Sequence, residues 1–205
     1  MICDVPIFAR LNWSKGILPL DLQRAKFEAK ILKLGMDTAN IYKRCGFCCD
    51  GSLFAKGRLN DDEKIDPASQ ISILTDEVTH ERAFRQPCCY LKDNLCAVYN
   101  CRPFVCRSFK CLLMNSVNDN SLTFEKAIGV LTRHNAIILR IEDRMNSLFP
   151  NFINLSLSER ISLFEKLHVN SIAPTEFRKK YGQLIPDIDS HNMFKNKYFT
   201  HTIVV

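Results

Sequence analysis

Nine of the ten cysteines in this 205-residue chain lie between positions 45 and 111. They form two groups, KRCGFCCDG at residues 43–51 and QPCCYLKDNLCAVYNCRPFVCRSFKC at residues 86–111. In the first group Cys48 and Cys49 are adjacent, and a trans peptide holds neighbouring Cα atoms about 3.8 Å apart. An unstrained disulfide needs a Cα separation of roughly 4.4–6.8 Å. The two sulfurs are therefore expected to face different partners.

The N-terminus, MICDVPIFARLNWSKG, lacks the basic start and the long apolar stretch of a signal peptide. No window of the sequence approaches the length of apolar chain that a transmembrane helix needs. These features predict a cytoplasmic protein with no membrane partner, a setting in which disulfides are rare. An even number of cysteines would suit a disulfide framework only in an exported protein. The cysteine cluster therefore favours metal ligation.

The spacing of the cysteines is typical of thiolate metal sites. C-x2-C at Cys45 and Cys48 is a chelating loop, and four thiolates complete a zinc site or hold an iron–sulfur cluster. The alternative is that several cysteines are small buried hydrophobic residues, which is the favoured interpretation for Cys3, Cys89 and Cys101. The later cysteines follow one another in steps of five, and such a step rotates a helix by about 140°. No single regular element would aim all of them at one point, so a segment running from loop to helix is expected.

The hydrophobic pattern predicts a mostly α fold with a small cysteine-rich, metal-organised core of loops and short helices, covered by a C-terminal helical region. We expect a single domain over residues 1–205, with the cysteine core at 42–113 and the helical region at 120–185. Four helices are predicted from hydrophobic spacing and flanking residues: Asp21–Leu34, 104–114 after Pro103, 124–148 before Pro150, and Thr175–Tyr181. Two more are predicted from capping patterns, one starting at Asn60 with Glu63 and one starting at Ser156 with Glu159. CGFCCDG is predicted to form a tight turn, QISIL a short strand, QPCCYLKDNLCAVYNC a loop, and the tail from Pro186 an irregular segment.

The cysteine region resembles the YkgJ-like cysteine-cluster proteins, a family described as a zinc- or iron-chelating domain. The family pattern is C-x2-C-x2-C-C, then C-P-x-L, C-x-I-Y and R-P-x-x-C-R-x-F-x-C, and this chain has CGFCCDGSLF, CCYL and CAVYNCRPFVCRSFKC. The resemblance covers Tyr42 to Leu113 and implies metal ligands at Cys45, Cys48, Cys49, Cys88, Cys96, Cys106 and Cys111. Tyr99, Arg102 and Arg107 would then lie beside the ligands, where they tune a site.

The chain departs from that pattern at three positions. The family's first cysteine is Tyr42 here, Cys89 stands where proline is usual, and Cys101 is additional. Seven family cysteines remain of eight, so either Cys89 or Cys101 substitutes as a ligand, or one site keeps an open position.

Spacing leaves zinc and iron–sulfur both open, because thiolates suit both. Dense thiolates without an interleaved histidine favour an iron–sulfur cluster, of the 4Fe–4S type. The first hypothesis is a metal- or cluster-binding protein in metal handling, redox chemistry or maturation. The second is an iron–sulfur-dependent enzyme that modifies a protein or peptide, by analogy with the flagellin lysine methylases, which have a similar cysteine cluster.

A third hypothesis, a zinc-stabilised nucleic-acid binder, is consistent with the net charge of +6. The chain lacks a basic helix or an aromatic stacking motif, so nucleic acid is not a favoured partner. His134 falls on the apolar face of the long predicted helix and is interpreted as a core histidine, whereas His80 is expected to be solvated. Asp61, Asp62 and Glu63 are interpreted as a charge run at a helix start.

Overall fold

The structure, a computed structural model, describes residues 45–64, 71–170 and 174–200, together with the helical positions Leu22, Ala25, Lys26 and Ala29. The predicted helix over Asp21–Leu34 otherwise lies outside the described residues, as do Cys3 and Tyr42. The described chain is rich in α-helix and also contains small antiparallel sheets. This confirms the α-rich class, and the sheets are an addition to the predicted architecture.

Three short strands form an antiparallel sheet between the two cysteine groups. They are β1 (Lys56–Arg58), β2 (Ile73–Thr75) and β3 (Arg82–Arg85), in the order β1–β3–β2. The predicted strand in QISIL is confirmed in part, because β2 begins at Ile73. Gly57 pairs with Phe84, and a Cβ at Gly57 would come within 2.3 Å of the phenylalanine ring. The glycine therefore leaves room for the end of the buried Phe84 ring beside β1.

A two-stranded hairpin lies within the second cysteine group, where the sequence predicts a loop. Its strands are β4 (Leu91–Lys92) and β5 (Leu95–Cys96). Asp93 and Asn94 connect them with φ of +50° and +61°, which are the positive values that a type I′ hairpin turn requires. The loop prediction is wrong here, because Asp93 and Asn94 form a hairpin turn that pairs the residues on either side of it.

The predicted helix over 104–114 is two helices. They are α1 (Phe104–Ser108) and α2 (Leu112–Asn118). The chain is extended at Phe109, with ψ of 123°, and at Cys111, with ψ of 156°. Pro103 is the N-cap of α1 and not its first residue. The break changes the direction of the chain between Cys106 and Cys111.

The predicted helix start at Asn60 is a turn in the structure. Asn60 N donates to the Glu63 carboxylate at 3.4 Å, as in a capping pattern, but no helix follows through residue 64. The same carboxylate accepts a hydrogen bond from Phe104 N at 2.6 Å. Glu63 therefore caps α1, a helix that begins 41 residues further along the chain.

Helices make up the second half of the chain. They are α3 (Phe124–Leu148), α4 (Leu157–Asn170), α5 (Pro174–Tyr181) and α6 (Leu184–Phe194), followed by a π-helical turn over Lys195–Phe199. The first three confirm the predictions. The prediction of an irregular tail from Pro186 is wrong, because this segment lies in α6 and the π-helical turn. Proline is tolerated there because Pro186 is the third residue of α6, where a missing N–H breaks no intrahelical hydrogen bond.

The hydrophobic core lies between these helices and reaches the first cysteine group. Leu131 and Ile141 of α3 and Leu184 of α6 are almost fully buried in it. Phe47 and Leu53, from the cysteine turn, are 1% and 0% exposed in the same cluster. The core therefore anchors the turn that carries the first cysteines. No helix within the described ranges has the length and apolar character needed to cross a membrane.

Candidate metal centre

The first cysteine group folds as the predicted tight turn. Gly46 O accepts hydrogen bonds from Cys49 N at 2.7 Å and Asp50 N at 2.9 Å, and Gly46 itself has φ of +76°. Ser52 N donates to the Asp50 carboxylate at 2.8 Å and closes the end of the turn. Because Phe47 points into the core, the cysteines on either side of it are held against the helices.

The second cysteine group is joined directly to this turn. Cys88 N donates to Cys49 O at 2.7 Å. The tip of the β4–β5 hairpin also packs on the turn, since a Cβ at Gly46 would lie 3.3 Å from the side chain of Asn94. These contacts bring Cys49, Cys88 and Cys96 to the same side of the molecule.

Seven thiols line one cavity of about 230 Å³. They are the seven cysteines that the family resemblance implies as ligands: Cys45, Cys48, Cys49, Cys88, Cys96, Cys106 and Cys111. The rest of the wall is mainly apolar and includes Phe54 and Phe109, whose rings are in edge contact at 5.5 Å. The cavity therefore combines a high density of sulfur with mainly apolar walls.

Neighbouring thiols divide into two sets that we name by their size. Besides burial, Cys45, Cys111 and Cys49 raise the pKa of Cys48, and we name Cys45, Cys48 and Cys111 the three-thiol set. Besides burial, the pKa of Cys49 is raised by the thiols of the second group. The four-thiol set is Cys49, Cys88, Cys96 and Cys106. Cys49 also raises the pKa of Cys45 and Cys48, so it lies near both sets, and Cys111 lies near the first cysteine group although it comes last in sequence.

The thiols are near one another but do not stand in a finished ligand arrangement. Among the described residues, no three side chains of histidine, cysteine, aspartate or glutamate lie in positions that would hold a metal ion. The organisation of the core by a metal is therefore a proposal, and what the structure provides is a shared cavity.

Burial determines the protonation of these sulfurs. It raises the pKa of Cys45 well above that of an ordinary thiol, and it raises the pKa of Cys106 to about 12. Neighbouring thiols raise both pKa values further, because a second negative charge nearby disfavours ionisation. The nearby Arg102 guanidinium acts in the opposite direction on Cys106.

Arg102 holds the loop between Cys96 and Cys106. Its Nε donates to Tyr99 O at 2.8 Å, one terminal nitrogen donates to Cys106 O at 3.3 Å, and its guanidinium carbon lies 3.6 Å from the Tyr99 ring centre. Arg102 and Tyr99 both line the cavity, whereas Arg107 is exposed and does not. Of the three residues expected beside the ligands, the structure thus places two at the cavity.

The two substitute ligands differ in chemical state. Cys101 is disulfide-bonded, so its sulfur is not a free thiol. Cys89 is free and half-buried, and the neighbouring Cys88 side chain lowers its pKa. Cys89 is therefore the free thiol of the pair.

A buried histidine pair lies behind the cysteine turn. His134 is fully buried, as expected for a core histidine, and its Nε2 lies 3.2 Å from Nδ1 of His191. The Phe47 ring meets His134 edge-on at 5.1 Å, and the backbone of Ser52 lies near His191 and opposes the lowering of its pKa. His191 was missed because it lies in the segment predicted to be irregular. His80, as expected, is exposed.

Comparison of the chain with protein-family models, with curated proteins and with solved structures found no match. The resemblance to the YkgJ-like proteins therefore stays a prediction from the cysteine motif.

Proposed function

We propose that this chain binds a metal ion or an iron–sulfur cluster through cysteine thiolates and acts in metal handling, redox chemistry or maturation. One observation carries the proposal: seven free thiols, from both cysteine groups, line a single cavity. Seven isolated cysteines would be expected to scatter through a core as small hydrophobic residues. Their convergence favours ligation.

The donor chemistry is suited to soft metals. Thiolates bind zinc and iron–sulfur clusters in preference to magnesium or calcium. The four-thiol set has the number of ligands that a closed zinc site or a four-iron cluster needs. When bound, a cluster would supply one-electron transfer and zinc would supply a cross-link between segments.

The surrounding residues would stabilise such a centre. Arg102 places a positive charge near Cys96 and Cys106 and hydrogen-bonds the carbonyl of the latter. Phe54 and Phe109 contribute apolar surface to the cavity wall beside the sulfurs. Because Cys49 O accepts from Cys88 N, the turn and the second group would be held together before a metal arrives.

A second candidate function is an iron–sulfur-dependent enzyme that modifies a protein or peptide. The observation that favours it is the three-thiol set, because three protein ligands leave one coordination position for a substrate or water. The set lines a cavity with mainly apolar walls. Substrate-dependent change in the spectrum of the loaded protein would distinguish this function from simple storage or transfer.

The experiment is metal analysis of anaerobically purified protein supplied with both iron and zinc. A brown protein whose visible absorption bleaches with dithionite supports the cluster, and a colourless protein with stoichiometric zinc supports zinc. Cys45→Ser and Cys106→Ser remove one member of each set and should each lower the metal content, with Ser108→Ala, at an exposed position outside the cavity, as the control. Wild-type protein that contains neither metal would contradict the proposal.

A further inference from the structure

Gln86 brings an unsatisfied polar atom to the wall of the cavity. Its side chain is 5% exposed, and its Oε1 is buried with no hydrogen-bond partner among the described residues. Gln86 also lines the cavity that the seven thiols line. A buried acceptor without a donor destabilises a folded protein. This oxygen therefore points to a ligand that supplies the donor.

Strand geometry aims the Gln86 side chain at the cavity. Gln86 directly follows β3, and the pairing with β1 continues to it, since Gln86 N donates to Ala55 O at 2.9 Å. Successive side chains of a strand point to opposite faces, so Gln86 lies on the same face as Phe84. Phe84 is 2% exposed and lines the same cavity. The Gln86 oxygen therefore faces the cavity and not the solvent.

The cavity has the size and the walls for a molecule with one aromatic ring. An apolar cavity of about 150 Å³ is large enough to hold benzene, and this one measures about 230 Å³. Aromatic side chains from separate segments line it, among them Phe54, Phe84, Tyr90 and Phe109. Aromatic rings pack favourably edge-to-face or in offset stacks, so these walls favour an aromatic body over an extended chain.

Positive charge lies where the cavity opens beside β1, an edge strand of its sheet. Among the described residues that line the cavity, the charged ones are Lys56, Arg58 and Arg102, all of them cationic. Lys56 and Arg58 are exposed, so they lie at the opening. Charges of one sign around a cleft attract a ligand of the opposite sign. Because Arg58 is paired with Glu81 at 3.0 Å, we assign the contact with an anionic group to Lys56.

We propose that the cavity binds a small aromatic carboxylate that carries a hydrogen-bond donor. The donor, a hydroxyl or an N–H group, bonds to Gln86 Oε1, the ring packs against the aromatic wall, and the carboxylate faces Lys56 at the opening. This site goes beyond metal binding, and none of the groups that it uses is a thiol. The ligand and a metal would therefore be held by different side chains of one cavity.

A pair of molecules that differ in a single group tests the contact with Gln86. The affinities of 4-hydroxybenzoate and 4-methylbenzoate for the anaerobically purified protein are measured by ligand-observed NMR titration. Wild type should bind 4-hydroxybenzoate at least about ten-fold more tightly, because the methyl compound leaves the buried oxygen without a donor. Gln86→Leu should bind the two compounds equally. Gln183→Leu, at an exposed position before α6, is the matched control and should keep the wild-type preference.

A second pair of molecules tests the charge at the opening. Lys56→Met should bind 4-hydroxybenzoate about two- to five-fold more weakly than wild type does, which is the effect expected of an exposed ion pair. The affinity of the same variant for the uncharged 4-hydroxybenzamide should not change. Equal losses for the two compounds would show that Lys56 does not recognise an anion.

Three results would overturn the inference. Wild type that binds no 4-hydroxybenzoate at millimolar concentration would show that the cavity does not take such a ligand. Equal binding of the hydroxyl and methyl compounds by wild type would show that water satisfies the Gln86 oxygen. A preference that persists in Gln86→Leu would place the donor elsewhere. Metal content, measured on the same samples, tests the proposed function separately from all three.

Discussion

The imidazole Nε2 of His134 lies 3.2 Å from Nδ1 of His191, and the two side chains join α3 to α6. Nδ1 of His134 is buried without a hydrogen-bond partner among the described residues. The proton of His134 therefore belongs on Nε2, because an unpaired buried N–H would cost more than an unpaired lone pair. The backbone of Ser52, at the end of the cysteine turn, lies near His191 and opposes the lowering of its pKa.

This pair predicts a loss of stability in mild acid. Burial lowers the pKa of His134 from 6.5 to about 3 and that of His191 from 6.5 to about 4, with Lys195 adding to the effect on His191. Between the pKa of each folded histidine and 6.5, the unfolded chain binds more protons than the folded one, so the free energy of unfolding falls as the pH falls. For each histidine, this fall approaches about 1.4 kcal/mol per pH unit.

The measurement is urea denaturation of wild type and His134→Phe between pH 7 and pH 4, at equal metal content. Burial raises the pKa of Asp50 to about 6 and that of Glu142 to about 7, and these carboxyl groups act with the opposite sign in the same range. The test is therefore the difference between proteins: His134→Phe should reduce the acid-side loss of stability, and His80→Gln at an exposed site should not. Equal slopes for wild type and His134→Phe would contradict the account.

Gly51 should not tolerate a side chain. It has φ of +82°, and a Cβ there would lie 2.7 Å from the Cβ of Ser156 and 3.3 Å from Pro87 N. Its carbonyl also accepts a hydrogen bond from Ser158 N at 2.9 Å, at the start of α4. Gly51→Ala should therefore lower the free energy of unfolding by about 1–3 kcal/mol.

Gly129 provides the matched control for this substitution. It lies in the middle of α3, and the nearest atom to its added Cβ would be an Arg133 nitrogen at 3.6 Å. Gly129→Ala should stabilise the protein by about 0.5–1 kcal/mol, because alanine favours a helix interior. Denaturation that gave the same sign for both variants would show that the turn is not packed as described.

The two arginines of the RPFVCR segment should differ in their contribution. Arg102→Met removes hydrogen bonds to the carbonyls of Tyr99 and Cys106 and the contact with the Tyr99 ring. We expect the free energy of unfolding to fall by about 1.5–3 kcal/mol and the metal to be lost to a chelator faster. Arg107→Met, at an exposed position, should change stability by less than about 0.5 kcal/mol. Equal losses of stability in Arg102→Met and Arg107→Met would show that Arg102 does not support the metal centre.

Local signals in the sequence predict much of the helical half. Ser156 N donates to the Glu159 carboxylate at 2.9 Å, and Glu159 N donates back to Ser156 Oγ at 3.2 Å, as the capping box predicts. Thr123, which was not among the predicted caps, also caps α3, since its hydroxyl accepts from Lys126 N at 3.4 Å. Both signals act within one helical turn, so no knowledge of distant contacts is needed to find them.

The remaining features depend on distant contacts. The break at Phe109 separates α1 from α2 and sends Cys111 toward Cys45 and Cys48, a grouping that steps of five in the sequence do not reveal. Glu63 caps α1 from a different part of the chain, and the same long-range packing buries His191. The motif therefore predicts which cysteines gather, and the fold decides how they divide.

Chelator-dependent alkylation of the cysteines tests the central claim most directly. Reduced, metal-loaded protein is treated with iodoacetamide, and each cysteine peptide is measured by mass spectrometry before and after metal removal. The account predicts that Cys89 is modified in both states and that the seven cavity cysteines become reactive only when the chelator has removed the metal. Modification of those seven at rates that the chelator leaves unchanged would contradict it.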